Sequence, residues 1–267
     1  MNDTARQPAL FIPHGGGPCF FMDWTPPDTW NKMGTYLSGI GSGLARRPDA
    51  LIVISAHWEA EPVSITAGAQ PELVYDYYGF PDHTYELQWP APGAPEVAVE
   101  VLELLAQAGI PAQLDDKRGF DHGVFIPLML AFPEAQIPTL QISLHPSLDP
   151  ALHLAMGRAL AQLRSDNMLI IGSGMSYHDV AGLMGRKPIE GSQEFDDWLY
   201  DAIMESPETR DRLLTDWLDA PSARACHPRE EHLLPLHVAA GAAGEDAGVA
   251  DYRDRVLSAS VSGIKFG

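Results

Sequence analysis

Short, wholly apolar runs recur along this chain and alternate with longer stretches of helical period. Runs at 9–13, 50–56, 62–67, 138–144 and 168–172 are rich in Ile, Val and Leu. That length and composition suit strands buried on both faces. Apolar residues recur with helical spacing near 95–108, 123–132, 150–164 and 194–218. Such alternation predicts an α/β fold: one domain over 1–267 with a central, mostly parallel or mixed sheet flanked by helices. The stretch 255–262 alternates by twos and predicts a last strand at the sheet edge. The Gly/Ala-rich stretch 238–250 reads as a helix end and surface loop. Segment 68–93 breaks the pattern, carrying Tyr75, Tyr77, Tyr78, Phe80, Tyr85 and Trp89 among glycines and prolines. It reads either as a flap packed on the core or as a wall or lid over a site.

Histidines punctuate this pattern. His14 and His57 directly follow apolar runs, His178 follows the run at 168–172 by a few residues, and His232 precedes the apolar Leu233-Leu234-Pro235-Leu236. Ligands of open α/β sheets bind outside the carboxyl ends of the strands, so imidazoles distant in sequence can meet there. Neutral imidazole is the commonest metal ligand, which makes a mononuclear metal site at that edge the first hypothesis. Pro235 is tolerated in a first helical turn and sets His232 at the start of a helix. His122 follows Asp121, a candidate N-cap for the apolar helix after it. His237 lies five residues beyond His232, off the i, i+4 spacing of zinc-protease helices. His145 ends a strand without other distinction, and His83, His153 and His227 read as surface or loop residues. His14-Gly15-Gly16-Gly17 also resembles an esterase oxyanion loop, but no Gly-x-Ser-x-Gly nucleophile follows.

Composition narrows the function classes. A formal charge of −19 leaves no basic excess to displace counterions, which excludes phosphate-backbone binding. The two cysteines, Cys19 and Cys226, form no spaced framework and point to a reducing compartment. No apolar stretch approaches the ~20 residues that span a bilayer, and the first residues lack the pattern of a signal peptide. The expectation is a soluble cytoplasmic protein, monomer or homodimer, with no nucleic-acid or membrane partner.

Taken in order, several motifs resemble the class III extradiol ring-cleavage dioxygenases, and most nearly their single-domain 4,5-DOPA branch. They are Pro8-Ala9-Leu10-Phe11 with His14-Gly15, Ser55-Ala56-His57-Trp58, Tyr78-Gly79-Phe80-Pro81 and Pro90-Ala91-Pro92-Gly93. Gly119-Phe120-Asp121-His122-Gly123, Gly172-Ser173-Gly174 with His178, and Glu231-His232-Leu233-Leu234-Pro235-Leu236 complete the series. The resemblance implies metal ligation by His14, His57 and His232, with His178 as acid/base and His122 lining the site. It departs from protocatechuate-type relatives, whose third ligand is a glutamate; here His232 takes that place and Glu231 stands in reserve. Also implied are Fe(II) for activity, with Zn(II) able to occupy the site as purified, and a small aromatic diol such as DOPA cleaved by dioxygen. Lys117 or Arg118 is a candidate for meeting a substrate carboxylate. The alternatives are a zinc-dependent hydrolase on the same ligands and a non-catalytic metal-binding protein on the same fold.

Overall fold

The computed structural model describes residues 6–267. The apolar runs form strands β1 (Ala9–Pro13), β2 (Ala50–Glu59), β3 (Val63–Thr66), β7 (Thr139–Leu144) and β8 (Met168–Gly174). Shorter pieces are β4 (Leu73–Val74), β5 (Ala112–Asp115) and β6 (Phe120–Asp121); β9 (Gly248–Val256) and β10 (Ala259–Phe266) end the chain. Eight strands make one sheet in the order β5-β3-β7-β2-β8-β1-β10-β9, while β4 and β6 form a separate pair. The four central strands, β7, β2, β8 and β1, are mutually parallel, buried and largely apolar where they pair, with Gln141, Ser55 and Ser173 among the polar exceptions. Antiparallel β10 and β9 extend one side, and β3 runs antiparallel to β7 on the other.

Helices are α1 (Asn31–Gly43), α2 (Pro95–Gln107), α3 (His122–Ala131), α4 (Pro150–Leu160) and α5 (Val180–Leu183). They continue with α6 (Ser192–Met204), α7 (Pro207–Thr215), α8 (Ala223–Cys226) and α9 (Leu234–Ala243). α9 is buried along its whole length and lies on β8, β1 and β2, with α4 outside it. A helix apolar all round has no solvent face to offer, so it must sit inside. α3 packs on β2 and β8 and in turn receives α1.

The central elements match the sequence pattern, while two readings need correction and a third holds in part. The stretch 194–218 is two helices, broken at Ser206-Pro207, where the Ser206 side chain accepts from the Thr209 N–H and Pro207 opens the next helix. The residues 255–262 straddle a hairpin turn at Leu257-Ser258, so the edge strand is β9, and β10 lies inside the sheet. Neither turn residue is Gly or Asn, and both adopt positive φ, 50° and 74°; the usual hairpin signal is absent. The stretch 238–250 holds a helix end and a surface loop, 244–247, as read, but its helical part fills the core up to Ala243 and its last residues, from Gly248, open β9.

His153 and His227, read from sequence as surface or loop residues, are fully buried, as is His237. Their polar atoms are largely satisfied by backbone. His153 Nδ1 donates to the Asp149 carbonyl at 2.7 Å and its Nε2 accepts from the His145 N–H at 3.2 Å. His227 Nε2 donates to the Ser176 carbonyl at 2.9 Å. Burial pushes His153 down to about 4 and His227 to about 3, and lowers His237 as well. The unfolded chain therefore takes up protons below pH 6.5 that the folded protein refuses, and stability is lost as pH falls through that range. Each imidazole contributes up to ~1.4 kcal/mol per pH unit. Denaturant unfolding between pH 7 and 5 should show a shallower pH dependence in His153→Gln than in the parent; identical slopes would contradict neutral burial.

Candidate metal centre

The parallel register aligns the ends of three neighbouring strands. Pro13 of β1 lies opposite Gly174 of β8, and Ser55 of β2 lies opposite Ser173. His14 thus leaves β1 beside His57, which occupies the end of β2. The His14 N–H donates to the Gly174 carbonyl at 3.1 Å, and the Met175 N–H donates to the His232 carbonyl at 3.0 Å. The end of β8 therefore ties down the backbone at two of the histidines. Glycine is required there because a Cβ at 174 would meet the His232 carbonyl, and one at 172 would meet the backbone of Pro235. The small residues of Gly172-Ser173-Gly174 serve this close approach of the chain before α9, not open space for a substrate.

His14, His57 and His232 come together, each able to offer one nitrogen, with those atoms within 4.8 Å of one another. His14 and His232 are almost completely buried, and His57 is partly exposed. The Nε2 atoms of His14 and His57 stand 3.1 Å apart. With metal–nitrogen bonds of ~2.0–2.1 Å, two ligands at a right angle lie about 3 Å apart, so the spacing fits one ion.

Hydrogen bonds on the far side of the rings determine the tautomers. The Ser173 hydroxyl donates to the Gly123 carbonyl, which leaves its oxygen to accept from His14 Nδ1 at 3.1 Å. Glu231 Oε1 accepts from His232 Nδ1 at 2.9 Å. Both rings therefore carry the proton on Nδ1 and present a lone pair at Nε2, the arrangement in which an outer partner orients a metal-binding imidazole. His57 turns its Nδ1 toward Asp76, 3.8 Å away. Burial first, then neighbouring imidazoles, push all three histidines well below the ordinary imidazole range. They are held in the neutral form that ligates.

His178 and His122 flank this trio. His178 stacks on His232 with ring centroids 3.3 Å apart and planes at 16°. Its Nδ1 faces Glu231 Oε1 at 3.2 Å, and with that nitrogen turned to the carboxylate, Nε2 is left as a base on a partly exposed ring. His122 tilts against His57 at 3.9 Å between centroids, and Asp76 accepts from its Nδ1 at 2.7 Å and its backbone N–H at 3.0 Å. Burial raises the Asp76 and Glu231 carboxyls, but the hydrogen bonds from His122 and His178 outweigh it, and both end below the usual range. Groupings of His57, Asp76 and His122, and of His178, Glu231 and His232, are also compact enough for an ion. They owe that compactness largely to N–H···carboxylate hydrogen bonds.

Asp121 sits at the N-cap of α3, yet its side chain makes no cap. It accepts instead from Ser55 Oγ at 2.7 Å and from Gln141, beneath His57. Arg118 lies over the Trp58 ring and 3.5 Å from Asp121, and Lys117 is exposed. Neither lines the apolar cavity beside His178. Sequence reasoning missed Asp76 and Ser173. Asp76 is embedded in the aromatic segment, whose Tyr75, Tyr77, Tyr85 and Phe80 pack on one another and on Phe125, while Tyr78 is exposed. Both readings of that segment describe part of it: the packed flap describes Tyr75, Tyr77 and Tyr85, and Phe80 also walls the cavity beside His178.

Residues 8–264 match the family model described as the catalytic LigB subunit of aromatic ring-opening dioxygenase. The chain belongs to the LigB family.

Curated relatives span most of its length. A 4,5-DOPA dioxygenase extradiol of Beta vulgaris is 41% identical, covering 92% of this chain and 90% of its own. The Escherichia coli K12 protein of the same name is 33% identical, covering 91% and 87%. A dioxygenase of Hapsidospora irregularis is 37% identical, covering 95% and 83%. A crystal structure of an uncharacterized E. coli K12 protein superposes with a TM-score of 0.80 at 29% identity, over 98% of this chain and 100% of that one. LigB enzymes are metal-dependent oxygenases that open aromatic rings with dioxygen, and the imidazole trio offers a donor set that fits an ion. Among the described residues no helix is long and apolar enough to cross a membrane.

Gly123 tests how tightly this LigB centre is built. A Cβ there would crowd Ser55 Oγ and lie 2.9 Å from His57 Cδ2. Gly123→Ala should keep the fold by circular dichroism and weaken divalent-metal binding by about 10–100-fold, the usual effect of disturbing a ligand's support. Unchanged affinity would mean that His57 needs no such clearance.

Proposed function

We propose that this protein is an extradiol dioxygenase that opens the ring of a catechol-type aromatic, with DOPA the first substrate to try. In this reading residues 1–267 act as one catalytic domain, and Fe(II) is held by His14, His57 and His232. The observation that carries the proposal is the convergence of three neutral imidazoles beside a fourth, His178, whose Nε2 is left free. The names of the relatives in Beta vulgaris and E. coli support the extradiol and DOPA parts. When bound, the iron supplies the Lewis acidity and one-electron chemistry that let a catechol react with dioxygen.

The protein's own groups do the rest. His178 Nε2 takes a proton from a substrate hydroxyl and later returns it, while Glu231 holds the opposite nitrogen and stabilises the charged ring. Glu231 orients His232 through the same oxygen, so ligand and base share one anchor. Asp76 fixes His122, whose Nε2 faces the site as an acceptor for the substrate's second hydroxyl. Phe80, Trp24 and Trp30 wall the cavity next to His178 and suit a flat ring. The all-imidazole set accepts Zn(II) too, so zinc as isolated and activity only after iron loading are both part of the proposal.

Anaerobic loading with Fe(II), then a catechol and air, should give a yellow ring-fission product, with dioxygen consumed mole for mole and both its atoms in the product. Ester hydrolysis by the zinc form without dioxygen uptake by the iron form would overturn the assignment. His14→Ala, His57→Ala and His232→Ala should each lose most of the metal while still unfolding cooperatively. His178→Gln should retain metal and lose ~10²–10⁴-fold in turnover. Loss of the metal in that variant would make His178 a ligand instead.

A further inference from the structure

An apolar cavity of about 510 Å³ opens beside His178 and the glycines at 15 and 16. Trp24, Trp30, Phe80, Met175, Leu183 and Leu257 form its walls. No carboxylate lines it, and apart from His178 the one ionisable side chain there is Arg186. We propose that Arg186 binds a carboxylate on the substrate's side chain, so that the site selects catechols with an anionic tail over zwitterionic or cationic ones. This rests on the ring-cleavage reading above and revises its substrate class, placing an anionic catechol acid ahead of the DOPA that the relatives' names suggest.

The loop that carries Arg186 is locally well determined. Asp179 caps α5 by accepting from the Gly182 N–H, and Lys187 pairs with the same carboxylate at 2.8 Å. Gly185, at φ 67°, ends the helix, and two backbone bonds close the turn. The Gly185 N–H donates to the Gly182 carbonyl and the Arg186 N–H to the Ala181 carbonyl, both at 2.8 Å. That pattern is a helix-terminating motif that fixes the backbone of the residue after the glycine. Lys187 is thus committed to the loop, whereas the Arg186 guanidinium makes no ion pair or side-chain hydrogen bond among the described residues.

Guanidinium is the side chain best shaped to hold a carboxylate through two parallel hydrogen bonds. An ammonium group finds no such partner. The carboxylates nearest the imidazoles lie outside this cavity's lining: Asp76 is engaged by His122, and Glu231 meets His178 and His232 through Oε1. A cationic tail placed among aromatic and aliphatic walls would lose hydration without replacement and face Arg186 of like charge. Because Arg186 is solvent-exposed, the preference is moderate, not absolute.

Binding and turnover separate this proposal from the one it rests on. Fluorescence of Trp24 and Trp30 in the cavity wall can follow anaerobic binding of four 4-substituted catechols to the iron-loaded protein. The four are 3-(3,4-dihydroxyphenyl)propanoate, its methyl ester, DOPA and dopamine. The propanoate should bind about 5- to 20-fold more tightly than the ester and than DOPA, with dopamine weakest. Arg186→Gln should bring the propanoate to the level of the ester without weakening the ester, and Arg186→Lys should recover part of the difference. Equal binding of acid and ester by the parent, dopamine binding as tightly as the acid, or an Arg186→Gln variant weakened equally for both would overturn it. Admitting air then tests ring cleavage separately. Absence of dioxygen uptake with all four would refute the catalytic reading while leaving the charge preference measured.

Discussion

Imidazoles packed against one another in a protein interior must each dispose of one proton, and where those protons go governs the rest of this structure. At His14 and His232 the proton is directed outward, to Ser173 and Glu231, and a lone pair faces inward. The same rule extends to the flanking rings, His122 on Asp76 and His178 on Glu231. The Nε2 atoms of His14 and His57, 3.1 Å apart, can share one proton or be bridged by one cation, so the outward-directed protons of His14 and His232 leave a cluster suited to a bound metal. Burial reinforces this by making the charged alternative, imidazolium, unfavourable.

The fold supplies what such a cluster needs. Four parallel strands, buried on both faces, bring the ends of β1, β8 and β2 side by side, and the buried α9 sets its preceding residues over β8. The glycines of β8 allow the backbone of His232 and Pro235 to come close. Ser173, between those glycines, also links His14 to the carbonyl of Gly123 at the start of α3. Ser173 is thus a junction between β8, β1 and α3. The site is also asymmetric: buried histidines on one side, and on the other a cavity with aromatic walls and a single guanidinium. In the proposed reading, metal binding and recognition of the substrate's tail fall to different loops, so one can change without the other.

The sequence displays its central strands and the histidines at their ends because fully buried parallel strands need uninterrupted apolar runs. Family resemblance then singles out His14, His57, His122, His178 and His232 from the ten, and all five meet. α1 is silent in the pattern because Gly34, Gly39, Gly41 and Gly43 make Asn31–Gly43 a poor helix by propensity. Two of these glycines have a reason: a Cβ at 41 would press on the Ala131 carbonyl, and one at 34 would touch Phe20. The hairpin turn is hidden because Leu257 and Ser258 take positive φ without the residues that usually announce it. His153 and His227 look like loop residues because nothing local reveals the backbone carbonyls that satisfy them. Asp76 is invisible for a related reason, since its partner His122 lies 46 residues away. Long-range hydrogen bonds leave no periodicity to read.

Nitrogen-15 spectra of the imidazoles measure the proton positions on which this account depends. In the metal-free protein at neutral pH, His14 and His232 should appear as neutral rings protonated at Nδ1, with Nε2 unprotonated. One equivalent of zinc should then shift the Nε2 resonances of His14, His57 and His232 and leave the Nδ1 protons of His14 and His232 in place. Nε2-protonated tautomers for His14 and His232, or zinc binding that leaves those nitrogens unmoved, would contradict it.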